Sequence, residues 1–259
     1  MNNNALPPNP LAGKTALVTG AATGLGRQVA TQLVAAGCRV AILGRTLVSL
    51  QQVADELGAA TFPVVADVVD PDQVRQAFAA VDSHFGDIDI LINNAATYFP
   101  FRIEDASDQH LQTIINTNLL GPAYCMREAV PRMKRRGGGD IINVSSESTR
   151  NPFPFLTVYA ASKGGLETLS QGLRTELKEY GIRVAVLRTG TLITTAGNNA
   201  SLANWTEKQL ADALALWEKT GHNSYSGAGM EPATVASTVI HALCLPREAN
   251  MELFEVRSA

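Results

Sequence analysis

A tyrosine, a lysine and a serine are the residues of this chain whose types and spacing point most directly to acid–base chemistry. Lys163 follows Tyr159 by four residues, and Ser146 precedes the tyrosine by thirteen. Positions i and i+4 share one face of a helix, so the phenol and the ammonium group should project side by side. The positive charge should favour the phenolate and lower the pKa of Tyr159, which is about 10 for an unperturbed tyrosine. Tyr159 is therefore a candidate general acid and base, with the Ser146 hydroxyl at the same substrate oxygen.

A glycine-rich loop connects a predicted strand to a predicted helix near the N-terminus. The run Thr15–Thr19 is typical of a buried strand, and the helical pattern extends from Arg27 to Ala36. Between them lies Gly20-Ala21-Ala22-Thr23-Gly24-Leu25-Gly26. Such a loop lets a pyrophosphate approach the backbone at a helix N-terminus, where free N–H groups are available. Taken singly, the loop also fits a tight connection, and the Tyr–Lys pair also fits an exposed helix face.

The motifs taken together resemble the short-chain dehydrogenase/reductase family. They are Thr-Gly-x-x-x-Gly-x-Gly from Thr19 to Gly26, Asn93-Asn94-Ala95, Asn118, Ser146, Tyr159 and Lys163, in that order. The resemblance extends from about Gly13 to the C-terminus. It implies a single-domain α/β Rossmann fold with a doubly wound parallel sheet of about seven strands. It also implies an oxidoreductase that transfers hydride between NADP(H) and a secondary alcohol or ketone, working as a homotetramer whose long helices pair between subunits.

The resemblance also implies roles for individual residues. Gly20, Gly24 and Gly26 would contact the cofactor pyrophosphate, Asp67 and Val68 the adenine, and Lys163 the nicotinamide ribose. Asn93 would begin the loop that passes the adenosine ribose, and the Asn118 carbonyl would hold a water that relays protons to the lysine. Further cofactor positions are Thr23, Leu25, Ala95, Tyr159, Gly190 and Thr194. A turn residue at Asp67 and a strand-end cap at Asn93 are the simpler alternatives.

Pro122 should affect the hydrogen bonding of the Asn118 carbonyl. In an α-helix this carbonyl would accept from the N–H of residue 122, and proline has none. The sequence therefore predicts a bend at Pro122 and a released carbonyl at Asn118, unless tertiary packing satisfies it.

Arg45 follows the second predicted strand and bears on the choice of cofactor. An acid at this position accepts from the NAD ribose, whereas an arginine accommodates the NADP 2′-phosphate. Gly44-Arg45-Thr46 contains no acid, which predicts NADP(H). The alternative is a solvated surface arginine.

Composition excludes several other function classes. The net charge of −3 and pI near 5.8 give no support for nucleic-acid binding. No apolar run reaches membrane-spanning length. Three scattered cysteines and four histidines show no ligand spacing, so the sequence predicts no metal site and a reducing compartment, the cytoplasm.

Alternating strand and helix patterns predict strands at residues 15–19, 39–43, 61–65, 88–92, 141–144, 183–187 and 253–256. Residues 1–12 should form a flexible tail, residues 13–259 the catalytic domain, and residues 195–228 a substrate lid. Phe99, Phe101, Phe153, Phe155, Leu202, Trp205, Leu214 and Trp217 lie near the active centre or in the lid. They suggest an apolar or aromatic small-molecule substrate, or simply pack the lid. A nucleotide-binding regulatory protein and a dehydratase or epimerase of the same family are the remaining alternatives for function.

Overall fold

The computed structural model describes residues 10–193 and 205–259, apart from the side chain of Ser226. Its strands all lie where the sequence predicted them, with ends shifted by at most two residues. They are β1 (Thr15–Thr19), β2 (Arg39–Gly44), β3 (Thr61–Val65), β4 (Ile90–Asn93), β5 (Gly139–Ser146), β6 (Ile182–Thr189) and β7 (Leu253–Val256). They form one parallel sheet in the order β3-β2-β1-β4-β5-β6-β7. The strand order reverses between β1 and β4, which is where ligands bind in such sheets.

Helices cover both faces of this sheet. They are α1 (Gly24–Ala35), α2 (Leu47–Leu57), α3 (Pro71–Phe85), α4 (Asp108–Ile115), α5 (Gly121–Arg135), α6 (Thr157–Leu177), α7 (Glu207–Lys219), α8 (His222–Ser226) and α9 (Pro232–Cys244). α3 begins after Asp70, whose side chain accepts from the N–H groups of Asp72 and Gln73. α1 begins at Gly24, three residues before its predicted start. Its first turn is therefore made by the glycine-rich loop itself.

Successive residues of the central strand β1 pack into different cores, as the two-residue period of a strand requires. In β1, Ala16 and Val18 join the core beneath α1 and α9, whereas Leu17 joins the core beneath α3, α5 and α6. The packed part of the chain begins earlier than predicted, because Leu11, within the predicted tail, is fully buried. None of the described helices combines the length and apolar character needed to cross a membrane.

Candidate active site

A cavity of about 760 Å³ lies at the carboxyl edge of the sheet, where β1 and β4 meet. Segments that follow five of the strands, together with α6, form its walls. Most of the predicted site residues line it: Gly20, Thr23, Gly24, Leu25, Arg45, Asp67, Val68, Ala95, Tyr159 and Lys163. The fold therefore gathers residues that span most of the sequence into one site.

The glycine-rich loop forms one end of the cavity. Gly20 and Gly24 have φ angles of +65° and +53°, which favour glycine. Gly26 has a different function: a Cβ there would lie 2.3 Å from the Gly20 carbonyl oxygen. Gly26 thus lets α1 pack tightly against the loop and is not part of the cavity wall. The first turn of α1 contains no acidic residue, so the helix dipole favours an anion at this end.

Asn94, which the sequence analysis did not single out, ties the end of β4 to this loop. Its Nδ2 atom donates to the carbonyls of Thr19 and Gly20 at 2.9 and 3.2 Å. Thr19 Oγ1 in turn accepts from the N–H groups of Asn94 and Ala95, both at 3.0 Å. The predicted residue Asn93 points elsewhere, because its Nδ2 donates to Asn143 Oδ1 at 2.8 Å beneath the site. Asn93 begins the loop as predicted, but its neighbours line the cavity.

Three other predicted cofactor positions have distinct surroundings. The Asp67 carboxylate accepts from the Val69 N–H at 3.2 Å, so this residue both closes its own turn and lines the cavity. Gly190 is buried beside the Glu147 carboxylate, and Thr189 and Leu192 line the cavity at that point. Thr194 lies outside the described residues.

Tyr159 and Ser146 face each other at the end of β5. The Tyr159 hydroxyl is hydrogen-bonded to the Ser146 side chain, and Ser146 Oγ accepts from the Ser148 N–H at 3.2 Å. The adjacent Ser145 instead donates to Glu167 Oε1 at 2.6 Å. Tyr159 lines the cavity, whereas Ser146 is not among its lining residues. A carbonyl oxygen that reaches Tyr159 could also accept from the adjacent Ser146 hydroxyl.

The pKa of Tyr159 differs from the one predicted from its spacing to Lys163. Burial raises the pKa of Tyr159 to about 12, against the smaller lowering effect of the Ser146 hydrogen bond. Lys163 Nζ lies 5.9 Å from the centre of the Tyr159 ring and donates to the Val144 carbonyl at 2.7 Å. The expected lowering of the tyrosine pKa is thus wrong for this conformation. Desolvation is the largest effect on this pKa, and Tyr159 is a proton donor at neutral pH.

Lys163 is itself buried, and Lys163→Met should change how stability depends on pH. Burial lowers the lysine pKa from 10.5 to about 8. Between these values the unfolded chain binds a proton that the folded chain does not, so wild-type stability should fall as the pH decreases through this window. The loss relative to the variant should reach roughly 3 kcal/mol at most. Urea unfolding of both proteins at stepped pH measures it, and parallel stability curves would contradict the prediction.

The helix around Asn118 is irregular. Residues Asn116–Leu120 form a π-helical turn, in which the Gly121 N–H donates to the Asn116 carbonyl five residues back. The bend predicted at Pro122 is therefore a widened turn just before it. A proline ring clashes with the carbonyl four residues earlier in an α-helix, and the wider turn avoids this. Release of the Asn118 carbonyl by Pro122 would require α-helical bonding between these residues, and the π-helical turn replaces that bonding.

The side chain of Asn118 is buried and hydrogen-bonds to two separate segments of the chain. Its Oδ1 accepts from the Thr97 N–H and its Nδ2 donates to the Thr97 carbonyl, both at 2.8 Å. Nδ2 also donates to Ser162 Oγ at 3.0 Å. Ser162 Oγ donates to the Tyr159 carbonyl at 2.6 Å. One asparagine thus connects the loop after β4 to the turn of α6 that carries the candidate acid.

Glu167 supports the same region and was missed by the sequence analysis. Its carboxylate accepts from Ser145, Thr149 and both Nε and Nη2 of Arg188. Burial raises the pKa of Glu167, but the hydrogen bonds from Arg188, Ser145 and Thr149 outweigh it and the net pKa is lowered. Glu167 follows Lys163 by four residues on α6, and that spacing was the available signal.

Two of the predicted aromatic residues pack the lid helix α7 against the body. Trp217 of α7 stacks edge-on against Phe153 at 5.3 Å and donates from Nε1 to the Pro154 carbonyl at 2.9 Å. Phe101 and Phe155 are buried, and Phe99 lines the cavity. Leu202 lies outside the described residues.

Comparison with known proteins places this site in a family. The model of the family described as short chain dehydrogenase matches residues 14–205. The chain belongs to the short-chain dehydrogenase family. A serine dehydrogenase in its closed form with NADP+ has the same fold, with a TM-score of 0.82 and 28% identity over 94% of each chain. A 3-ketoacyl-(acyl-carrier-protein) reductase from Brucella melitensis, complexed with NADH, gives a TM-score of 0.81 and 28% identity over 95% of this chain and 97% of that one.

Two sequence relatives agree with the structural neighbours. An uncharacterized oxidoreductase of Staphylococcus aureus is 30% identical over 248 residues, which are 95% of this short-chain dehydrogenase and 98% of the relative. The glycine betaine reductase of Emericella nidulans is 34% identical over 250 residues, covering 95% of this chain and 19% of that longer protein. The chain is therefore an oxidoreductase.

Proposed function

We propose that this short-chain dehydrogenase interconverts a ketone and a secondary alcohol with NADP(H), using Tyr159 as general acid and base. The observation that carries the proposal is the interaction of the Ser146 side chain with the Tyr159 hydroxyl, at a tyrosine that lines the cavity. Lys163, one turn further along α6, lines the same wall. The serine, tyrosine and lysine that the resemblance joins functionally are thus adjacent in space.

Each of the site residues has a separate role in the proposed reduction of a carbonyl group. When bound, the nicotinamide supplies the hydride. Ser146 and Tyr159 donate to the carbonyl oxygen, where negative charge develops, and fixed donors at that position stabilise the transition state. Tyr159 then transfers its proton to this oxygen, a role that its raised pKa supports. Lys163 binds the cofactor ribose, and the Asn118 carbonyl accepts from a water that relays protons to Lys163, as the resemblance implies.

The cavity fits a dinucleotide that carries an extra phosphate. The glycine-rich loop and the first turn of α1, which has no acidic residue, form a cradle at one end of the cavity. Arg45, Thr46 and Ser49 line the cavity beyond β2, and the first turn of α2 has no acidic residue. A cation, two hydroxyl groups and a helix N-terminus suit a 2′-phosphate. The serine dehydrogenase is complexed with NADP+, which supports this choice for the present enzyme.

A substrate screen tests the proposal. Apolar and aromatic ketones and secondary alcohols are incubated with each reduced or oxidised cofactor, and the nicotinamide absorbance is followed. Turnover of a ketone with NADPH supports the proposed reaction. Tight cofactor binding without turnover of any ketone or alcohol would instead favour a regulatory protein, and product formation without net cofactor consumption a dehydratase or epimerase.

The homotetramer implied by the resemblance is part of the same proposal. The continuous helical segment from α4 through α5 and the helix α6 are the long helices through which the subunits would pair. Light scattering of the purified protein at micromolar concentration measures its mass. A mass of one 27.5 kDa chain would rule the tetramer out.

A further inference from the structure

We propose that Tyr98 determines substrate specificity by donating a hydrogen bond to a second, uncharged oxygen of the substrate, near the reacting carbonyl. The inference rests on the proposed function, because it requires the carbonyl to sit at Ser146 and Tyr159. It assigns a substrate contact to a residue outside the catalytic set and narrows the substrate class to neutral compounds such as hydroxyketones.

Tyr98 lies beside Tyr159, the candidate acid. Both rings line the same cavity. Their centres are 5.6 Å apart and their planes are inclined by 63°, an edge-to-face contact. Tyr98 also raises the pKa of Tyr159 through the charge that its own phenolate would carry, so the two phenols interact electrostatically. A substrate whose carbonyl oxygen meets Tyr159 therefore brings its neighbouring substituent to Tyr98.

The backbone that carries Tyr98 is held firmly. The backbone N–H and the backbone carbonyl of the preceding residue, Thr97, are both hydrogen-bonded to the side chain of Asn118 at 2.8 Å. Asn118 is completely buried and is bonded to Ser162 on α6. The Tyr98 loop and the Tyr159 helix thus share one anchor. A donor fixed in this way loses little conformational freedom when it binds a ligand, which is what a specificity contact requires.

The charged side chains around the cavity restrict the class of substrate that it can bind. Among the described residues that line it, the charged side chains are Arg45, Asp67 and Lys163. Arg45 and Asp67 follow β2 and β3, on the adenosine side of the proposed cofactor site, and Lys163 is the proposed cofactor-ribose ligand. A substrate carboxylate would lose its hydration there without gaining a dedicated cation, so a neutral substituent is favoured.

Three aryl ketones that differ at one group provide the test. α-Hydroxyacetophenone carries a hydroxyl next to the carbonyl carbon, propiophenone a methyl of similar size, and benzoylformate a carboxylate. With wild-type enzyme and NADPH, we expect kcat/KM to be highest for the hydroxyketone and lowest for benzoylformate. Tyr98→Phe keeps the ring and removes only the donor. It should lower kcat/KM for the hydroxyketone by about 2- to 10-fold, the value of a neutral hydrogen bond, mainly through KM.

The same variant supplies the internal control. Activity with propiophenone should change by less than about twofold, since no hydrogen bond is lost to a methyl group. Tyr180→Phe, at a partly exposed tyrosine at the end of α6, is the matched substitution and should leave both ketones unaffected. NADPH affinity, followed by fluorescence, confirms that each variant is folded.

The outcomes separate this inference from the proposed function. An equal loss with both neutral ketones would mean that Tyr98 acts on the reacting carbonyl or on the loop, and would overturn the inference. An unchanged ratio between the two ketones, or a preference for benzoylformate, would overturn it as well, while ketone turnover would leave the proposed function intact. Binding of NADPH without turnover of any ketone would refute the proposed function, and this inference with it.

Discussion

Tyr159→Phe should reduce kcat for ketone reduction by roughly 10²–10⁴-fold, the usual contribution of general acid–base catalysis. The variant lacks only the hydroxyl group that hydrogen-bonds Ser146 and that would donate the proton. Its ring keeps the shape that packs against Tyr98. Cofactor affinity should therefore change little, because the predicted cofactor contacts of the glycine-rich loop and Arg45 are distant in sequence and unaltered. Steady-state kinetics with NADPH and a fluorescence titration of NADPH measure the two effects.

Tyr180→Phe serves as the control for this prediction as well, because it removes a phenol hydroxyl outside the cavity. A Tyr159→Phe enzyme with kcat within tenfold of wild type would show that another group delivers the proton. A large loss of NADPH affinity in the same variant would show that the phenol mainly supports the cofactor. Either result would contradict the assigned role of Tyr159.

Arg45→Asp should reverse the preference between NADPH and NADH. A hydrogen bond to a charged group contributes roughly 1.5–3 kcal/mol net, which is about 10- to 100-fold in affinity. Arg45 is exposed on the cavity rim, so screening by salt places the wild-type preference nearer the lower value. The aspartate would repel the 2′-phosphate and accept from the free ribose hydroxyl of NADH. kcat/KM for both cofactors, in both proteins and at one ionic strength, gives the size of the reversal.

Arg75→Asp is the matched control, since Arg75 is an exposed arginine on α3 that pairs with Asp72. The same change of charge outside the cavity should leave the cofactor ratio unaltered. Equal efficiency of the wild-type enzyme with both cofactors would show that Arg45 makes no useful contact with the phosphate. A shift of the ratio in Arg75→Asp as large as in Arg45→Asp would point to the overall charge of the protein instead.

Features that depend on a few neighbouring residues could be predicted from the sequence. Apolar runs located the strands. Asp70 and Ser107 are of the residue types that cap helices, and their side chains accept from N–H groups two or three residues away at the starts of α3 and α4. Since parallel strands present their carboxyl ends at one edge, the residues that follow them were expected to meet there. Gly20, Arg45 and Asp67 do line one cavity.

Orientation and solvation of the site residues could not be predicted in this way. Asn93 and Asn94 are identical in type and adjacent, yet one bonds to β5 and the other to the glycine-rich loop. The alternation of side chains at the end of β4 decides between them, and its register depends on pairing with β5. The tyrosine pKa likewise depends on how much water the folded chain excludes, and the i+4 spacing to Lys163 contains no information about that.

Polar contacts between segments that are distant in the chain could not be predicted from the sequence either. Asp140 at the start of β5 is buried and accepts from Arg183 at 2.6 Å and Arg247 at 2.9 Å. Arg183 also donates to the carbonyls of Leu243 and Leu245 at the end of α9. This network joins β5, β6 and α9 at the edge of the sheet opposite the site.

The sequence by itself therefore determined the family, the strand and helix order and the set of reacting groups, because motifs and hydrophobic periods are local properties of the chain. Only the tertiary structure decided which atoms those groups meet: the Tyr159 hydroxyl with Ser146, the Asn118 side chain with Thr97, and Tyr98 with Tyr159. Hydrogen bonds, burial and the pKa values that follow from them depend on distances between residues that are remote in the chain, and folding alone sets those distances.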